Sequence, residues 1–295
     1  MRLSTTTHIF GTRLDGSYPS YKDSFKRCVD IGFNVLDIHF CQAINGRTEL
    51  VKENWQEVIE DVRNEADKIG VEFTQSHPVF IKGHIKNYKE DFQAHYQEMM
   101  RRSIIASSIL GVKWAVLHPL EDREKSPFDV EANIQANMEM HDFAIELAMR
   151  HNVGIAYENM IEGPKTKRRF CSEAGELATL VDAYQDSRIG ACWDFGHANF
   201  LYQDQRPALR TLGKRLKATH VNDNDGAGDD HLFPFHGTVD WHRLLPVLRE
   251  IGYEGDFTYE THKETIRLPD HLRDQIAKTG YDIGKYCLSL IDGEN

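Results

Sequence analysis

The sequence has few cysteines, and their spacing fits neither a metal-binding pair nor a redox pair. The 295 residues include five cysteines, which is an odd number, and no CxxC motif. This pattern predicts reduced thiols in a large core and excludes a disulfide framework. The five are Cys28, Cys41, Cys171, Cys192 and Cys287.

Long apolar runs and an excess of basic residues are also missing. No window approaches the roughly 18 apolar residues of a membrane helix, and the opening MRLSTTTHIFGTRLDGS has no run typical of a signal peptide. The 35 Lys+Arg against 46 Asp+Glu give a net charge of −11, which argues against general adhesion to nucleic acid or anionic membranes. No glycine-rich nucleotide loop follows a predicted strand. We therefore expect a cytoplasmic protein that does not contact membranes.

Short runs rich in Val, Ile and Phe alternate with longer segments of helical periodicity along the whole chain. In the helix predicted for residues 53–70, for example, Trp55, Ile59 and Val62 share one face and Gly70 suits the C-cap. The predicted strands cover residues 3–10, 34–40, 71–77, 113–120, 153–160, 189–197, 216–221 and 257–261.

Eight such units, without a linker or a low-complexity tract, predict an α/β protein with one (β/α)8 TIM barrel domain over residues 1–295. A doubly wound open sheet would show the same alternation and is the alternative. The longest irregular segment, residues 222–240, is predicted to be an active-site loop.

Polar residues directly follow many of the predicted strands. The carboxyl ends of the strands form the catalytic face of a TIM barrel, so these side chains are expected on one rim. A single residue of this kind is more often structural, with its hydrogen bonds satisfied. Several of them together, without a compensating charge, would repel one another and lose their solvation. They are His77, His118, Glu158, Asp194, His197, His220 and Glu260, with Asp229, His231 and His236 in the loop after the seventh strand.

A divalent cation would compensate such a cluster. Imidazole and carboxylate ligands suit Mn²⁺, Zn²⁺, Co²⁺ or Fe²⁺, and the carboxylate-rich subset of Glu158, Asp194, His220 and Glu260 favours a hard or intermediate ion with open positions. We expect one ion per chain, Mn²⁺ in preference to Zn²⁺, Co²⁺ or Mg²⁺.

Glu158 and Glu260 are expected nearly opposite each other across the barrel. A cation bound to a ketone and its neighbouring hydroxyl acidifies the C–H between them, and a carboxylate on either face can remove or return that proton. Isomerisation, epimerisation and loss of a β-hydroxyl all remain open from this arrangement.

Several motifs of the sequence resemble those of a known superfamily. They are YEN (157–159), WDFGHAN (193–199), HVND (220–223), GTVDW (237–241) and FTYETH (257–262). Their order is similar to that in the sugar phosphate isomerase/epimerase branch of the xylose isomerase-like barrels, and the resemblance covers nearly the whole chain. Because that branch includes ketose 3-epimerases, hydroxypyruvate isomerases and dehydratases, it implies the fold and the site but not the substrate.

The resemblance also implies roles for individual residues. Glu158, Asp194, His220 and Glu260 would hold the metal, the two glutamates would form the acid/base pair, and His197 would hydrogen-bond the substrate oxygen near the metal. His77, His118, Asp229 and His231 would bind substrate hydroxyls. The arginine that this branch places after the strand-seven histidine has no counterpart in HVNDNDGAG, so a substrate pose copied from ketose 3-epimerases is not expected.

A second resemblance, to the apurinic endonuclease family represented by endonuclease IV, implies a different reaction. That family builds a three-zinc phosphodiesterase site, and the chain offers a suitable residue at all nine positions. They are His77, His118, Glu158, Asp194, His197, His220, Asp229, His231 and Glu260. The segments NMIEGPKTKRRF and ANFLYQD do not resemble the neighbouring glycine-rich segments of that family, although the basic run at residues 165–169 could contact phosphates.

We therefore favour a metal-dependent isomerase or epimerase acting on a small sugar, sugar phosphate or keto-polyol. A phosphodiesterase on abasic-site DNA and a dehydratase or lyase are the alternatives, and a non-catalytic sugar-binding barrel is less compatible with two glutamates. Dimers or tetramers would be compatible with such a barrel.

Overall fold

Eight parallel strands form one sheet in the computed structural model, which describes residues 1–120, 126–162 and 168–294. The spatial order is β7-β6-β5-β4-β3-β2-β1-β8, so every strand except those at the two ends pairs with its neighbours in sequence. The strands are β1 (Leu3–Thr6), β2 (Val35–His39), β3 (Glu72–His77), β4 (Trp114–Leu117), β5 (Gly154–Glu158), β6 (Ile189–Asp194), β7 (Leu216–His220) and β8 (Phe257–Tyr259).

Contacts between β7 and β8 nearly close this sheet into a barrel. The Val221 amide donates to the Thr258 carbonyl at 2.7 Å, and the Glu260 amide donates to the Val221 carbonyl at 3.0 Å. The Thr219 hydroxyl extends this seam, because it donates to the Asp256 carbonyl at 2.9 Å and accepts from the Thr258 amide at 3.3 Å. The predicted (β/α)8 TIM barrel is thereby confirmed against the open sheet; the extent of one domain over residues 1–295 stays a prediction.

Helices connect successive strands and cover the outside of the barrel. The predicted face of the second helix is buried, and Gly70 ends that helix with a left-handed backbone (φ 73°). The helices are α1 (Tyr21–Ile31), α2 (Trp55–Ile69), α3 (Glu90–Leu110), α4 (Val130–Arg150), α5 (Ala174–Ala183), α6 (Phe195–Asn199), α7 (Arg206–Leu212), α8 (Trp241–Glu250), α9 (Lys263–Ile266) and α10 (Asp270–Asp292). In the described parts of the chain, no helix combines the length and apolar character needed to cross a membrane.

Several predicted strands extend past the observed carboxyl ends, by three residues in β4 and β6 and by four in β1, and side-chain caps account for two of these ends. Strand β1 stops at Thr6, whose side chain accepts from the His8 amide and starts a 3-10 helix over Thr7–Phe10. Strand β6 stops at Asp194, whose carboxylate accepts from the His197 amide at 2.7 Å and caps α6. In both cases a side-chain cap satisfies amides that a continued strand would have paired, so the chain turns into a helix.

The apolar core lies mainly between the sheet and its helices. A smaller cluster of Val116, Ala156, Cys192 and Ala218 fills the barrel. All five cysteines are buried as free thiols, as predicted. Above this interior cluster, at the carboxyl ends of the strands, the barrel lining becomes polar.

Candidate metal and active site

A cavity of about 380 Å³ opens at the carboxyl ends of the strands. Seven of the nine main site residues predicted from the sequence line it: His77, His118, Glu158, His197, Asp229, His231 and Glu260. Asp194 and His220 are fully buried and contact this set from within the barrel. His236 does not line the cavity, because its ring is exposed and paired with Glu264 at 2.7 Å.

The central group consists of Glu158, Asp194, His220 and Glu260. One nitrogen or oxygen atom of each lies within 4.8 Å of those of the other three, and all four residues are buried. Nδ1 of His220 is 2.9 Å from Oε1 of Glu158 and 3.5 Å from Oε2 of Glu260. Four consecutive strands, β5 to β8, therefore bring three carboxylates and one imidazole to a common point.

Four further groups of potential metal ligands occur among the described residues, again with ligand atoms within 4.8 Å of one another. Two of them, which we call the flanking groups, are His77 with His118 and Glu158, and His197 with Asp229 and His231. The other two combine His77 with His220 and Glu260, and His231 with Glu260 and His262. Glu158 belongs to both the central group and the first flanking group. The structure thus brings together all nine positions of the sequence prediction; their roles remain predictions.

Hydrogen bonds to the main chain orient three of these imidazoles. Nδ1 lies 3.1 Å from the Pro78 carbonyl in His77, 2.8 Å from the Asn159 carbonyl in His197 and 2.8 Å from the Glu260 carbonyl in His231. A carbonyl oxygen only accepts, so each of these bonds requires the hydrogen on Nδ1; in His77, Sγ of Cys41 also lies 3.1 Å from Nδ1. In the neutral ring, Nε2 then offers its lone pair to the cavity, which is the arrangement that metal-binding histidines show.

Carboxylate oxygens meet these nitrogens without forming hydrogen bonds. Oε2 of Glu158 is 3.0 Å from Nε2 of His118, and Oδ1 of Asp229 is 3.1 Å from Nε2 of His231, yet both oxygens are buried and lack a hydrogen-bond partner. A divalent cation would satisfy such converging atoms, and imidazole with carboxylate is a donor set that it accepts. The residues present therefore fit a divalent metal.

The electrostatics of the site also favour a bound cation. Burial raises the pKa of Asp194 to about 6, because the charged form loses its solvation. Burial lowers the pKa of His231, but the carboxylates of Glu260 and Asp229 outweigh it and raise that pKa to about 10. The negative potential that holds a proton on His231 would also attract a cation, which would displace that proton.

Asp37 is a buried member of the site that the sequence reading missed. Its Oδ2 lies 3.4 Å from Nε2 of His220, on the side of the ring opposite to Glu158. Nε2 of His220 and the other oxygen of Asp37, Oδ1, are buried without a hydrogen-bond partner. Burial raises the pKa of this carboxyl, and the facing His220 acts against that rise. Asp37 is therefore placed to orient His220 towards the central group.

Three further histidines that the sequence reading missed, His8, His39 and His262, line another side of the cavity; we call them the histidine wall. The rings of His8 and His39 stack with centroids 4.2 Å apart, and His262 lies 4.8 Å from His8. Burial lowers the pKa of His8 to about 4 and also lowers that of His39 and His262, so these rings are neutral.

The sequence profile described as "Xylose isomerase-like TIM barrel" matches residues 25–282. The chain belongs to this family. Among curated proteins it is 27% identical over 182 residues to the uncharacterized protein y4fM of Sinorhizobium fredii, with 59% of this chain and 57% of that protein covered. The chain thus spans about half the length of the curated relatives that it matches.

Solved structures of the family's fold match nearly the whole chain at low identity. A D-tagatose 3-epimerase-like protein has a TM-score of 0.75 at 20% identity, covering 100% of this chain and 99% of that one. The IolI protein with a bound zinc atom has a TM-score of 0.74 at 17% identity (96% and 98% covered). A D-psicose 3-epimerase in the presence of D-fructose has 0.72 at 14% identity (98% and 99%).

The basic run at residues 165–169 gives little support to a phosphate contact. Residues 165–167 lie outside the described residues. Arg168 is held by carboxylates, with a 2.7 Å ion pair to Glu162 and a further one to Glu176. A larger cavity, of about 560 Å³, lies at the amino-terminal ends of the strands near Lys113 and Lys217, away from the predicted catalytic face.

Proposed function

We propose that this protein is a divalent-metal-dependent sugar isomerase or epimerase that transfers a proton at the carbon next to a carbonyl. The observation that carries the proposal is the central group, in which two buried glutamates from β5 and β8 meet with Asp194 and His220. The similarity in fold to proteins described as sugar epimerases supports a small carbohydrate as the substrate.

Glu158, Asp194, His220 and Glu260 would hold the metal, with Mn²⁺ as the ion to test first and Zn²⁺, Co²⁺ and Mg²⁺ beside it. When bound, the ion polarises the substrate carbonyl and makes the neighbouring C–H more acidic. The zinc atom in the similar IolI structure supports a metal in this kind of barrel.

The chain's own residues would carry the proton. Glu158 and Glu260 approach the cavity from different strands, so one carboxylate can remove a proton from one face of the substrate and the other can return it to the opposite face. That sequence inverts the carbon centre, whereas return to the adjacent carbon interchanges a ketose and an aldose. In its neutral form His197, whose Nδ1 is bonded to the Asn159 carbonyl, would accept a hydrogen bond from a substrate hydroxyl at Nε2.

Incorporation of deuterium from solvent tests this reaction without knowledge of the product. The metal-loaded protein is incubated with ketoses of three to six carbons in deuterated water, and exchange at the carbon next to the carbonyl is followed by NMR. Glu260→Gln should lower the exchange rate by about 10²- to 10⁴-fold, the usual contribution of a general base. Glu254→Gln, at the opposite end of the barrel, is the matched control. Exchange by Glu260→Gln within tenfold of the parent at equal metal content would show that Glu260 is not the base.

One observation favours a second candidate function, a zinc phosphodiesterase acting on abasic-site DNA. The central group and the two flanking groups would supply ligands for three ions, which is the number that a three-ion site requires. Three zinc ions would activate water and neutralise the leaving phosphate. Elemental analysis decides between the candidates: about three zinc ions per chain, one of them lost in His231→Gln, together with cleavage of abasic-site DNA, would replace the isomerase proposal.

A further inference from the structure

We infer that the histidine wall (His8, His39 and His262) is a binding site for the hydroxyl groups at the far end of an uncharged sugar chain. The inference rests on the proposed function, since it assigns the part of the substrate that lies beyond the reacting carbons.

Unfilled hydrogen-bonding capacity is the first observation. Among the residues that the structure describes, no ring nitrogen of His39 or His262 has a hydrogen-bond partner, and Nδ1 is buried in both. His39 is only 7% exposed. Buried polar atoms without partners are costly and rare, so these nitrogens call for a ligand that enters the cavity.

The local structure holds the wall in place. Nδ1 of His8 forms a hydrogen bond with the Tyr18 hydroxyl, which leaves Nε2 of His8 without a described partner. Gly11 packs directly under this ring, because a Cβ atom there would lie 2.5 Å from a ring carbon of His8. The His39 ring stacks on His8 with an interplanar angle of 9°. The wall is therefore a packed surface and not a set of mobile side chains.

The chemistry of the wall matches hydroxyl groups. A neutral imidazole offers one N–H donor and one lone pair, and a hydroxyl offers one donor and two acceptor positions, so the two can pair in either direction. A phosphate or carboxylate is a poorer match, because an oxygen of the Glu260 carboxylate lies within 4.8 Å of a ring nitrogen of His262. An anion at the wall would be repelled by that charge.

The position of the wall assigns it to the distal part of a longer substrate. The centroid of the His39 ring is 5.9 Å from that of His77, which itself flanks the central group. A sugar carbonyl held at the central group would therefore direct its later carbons towards His39, while a three-carbon ketose would end before reaching that ring. The wall then distinguishes long, uncharged sugars from short ones.

Phenylalanine substitutions remove the ring nitrogens while keeping a flat ring for stacking. His39→Phe and His262→Phe are compared with His242→Phe, a control on the outer surface where His242 contacts Tyr286. In the deuterium-exchange assay, each wall variant should lower kcat/KM for six-carbon ketoses about three- to tenfold, as expected for a lost neutral hydrogen bond. Exchange of a three-carbon ketose and the metal content should stay as in the parent protein. An equal loss for all chain lengths, or no loss with six-carbon ketoses, would overturn the inference.

A binding measurement separates this inference from the proposed reaction. If the parent protein exchanges no ketose, the proposed function fails, but binding of a six-carbon polyol can still be measured by saturation-transfer NMR. Binding that disappears in His39→Phe and survives in His242→Phe would support the wall as a hydroxyl site. Absence of polyol binding to the parent protein, or the loss of one metal equivalent in His262→Phe, would refute it.

Discussion

Replacing Asp37 with Asn should weaken divalent-metal binding without unfolding the barrel. The carboxylate of Asp37 faces Nε2 of His220 at 3.4 Å inside the barrel, and both residues are shielded from water. Its charge favours the tautomer of His220 that carries the hydrogen on Nε2, so that Nδ1 has a lone pair free for a cation held by the central group. Asn keeps the shape and one acceptor oxygen but loses this charge. Loss of such a partner typically costs 10- to 100-fold in metal affinity, or about 1.4–2.7 kcal/mol.

The affinity would be measured by competition with a chelating dye, and the fold would be checked by melting of the metal-free protein. Asp256→Asn is the matched control, because Asp256 is also buried but pairs with Arg2 at 2.9 Å at the other end of the barrel. Affinity of Asp37→Asn within twofold of the parent, or an equal weakening by Asp256→Asn, would refute the orienting role of Asp37.

Three further outcomes are expected. Chelation should lower the melting temperature by about 5 °C, since free ion at 100 times its Kd stabilises by about 2.7 kcal/mol; an unchanged melting temperature would argue against a structural role of the ion. Asp223→Asn should cost at least about 2 kcal/mol in denaturant unfolding, because this carboxylate accepts from the Trp241 indole and from three amides of residues 224–239; a cost under 0.5 kcal/mol would contradict that. Burial lowers the pKa of His141 to about 4, so between about pH 6.5 and 4 the unfolded chain binds a proton that the folded chain does not. The free energy of unfolding therefore falls as the pH drops through this range, by up to about 3 kcal/mol. His141→Gln should lose less stability between pH 7 and 4.5 than the parent; an equal loss would assign the effect elsewhere.

The strand starts could be predicted from the sequence far better than the strand ends. All eight strands begin within one residue of the predicted position, because the change from polar to apolar residues marks the entry into the sheet. The ends are set by individual caps such as Thr6 and Asp194, whose side chains bond amides two and three residues later. Such a cap acts through one hydrogen bond and leaves the hydrophobic pattern unchanged, so a reading of periodicity passes over it.

The same limit explains which site residues were missed. The rule of collecting polar residues after strands found all nine main positions, but His8 lay inside an overlong predicted strand and His39 one residue before a predicted end. Asp37 stands in the middle of β2, and only the alternation of Asp37 and His39 with Leu36 and Ile38 could have placed the two polar side chains on the inner face. Contacts such as that between Asp37 and His220 join residues 183 positions apart and have no local signal.

A metal ion at the candidate site would also stabilise the closure of the barrel, because the site lies at the seam between β7 and β8. Within the described chain, the main-chain bonds across this seam run through Val221 alone, with the Thr219 hydroxyl standing in for further pairing. His220 and Glu260 flank those bonds from the two sides of the seam. An ion held by both side chains would connect β7 and β8 where few hydrogen bonds join them. The amide hydrogens of Val221 and Glu260 should therefore exchange with solvent more slowly when metal is bound.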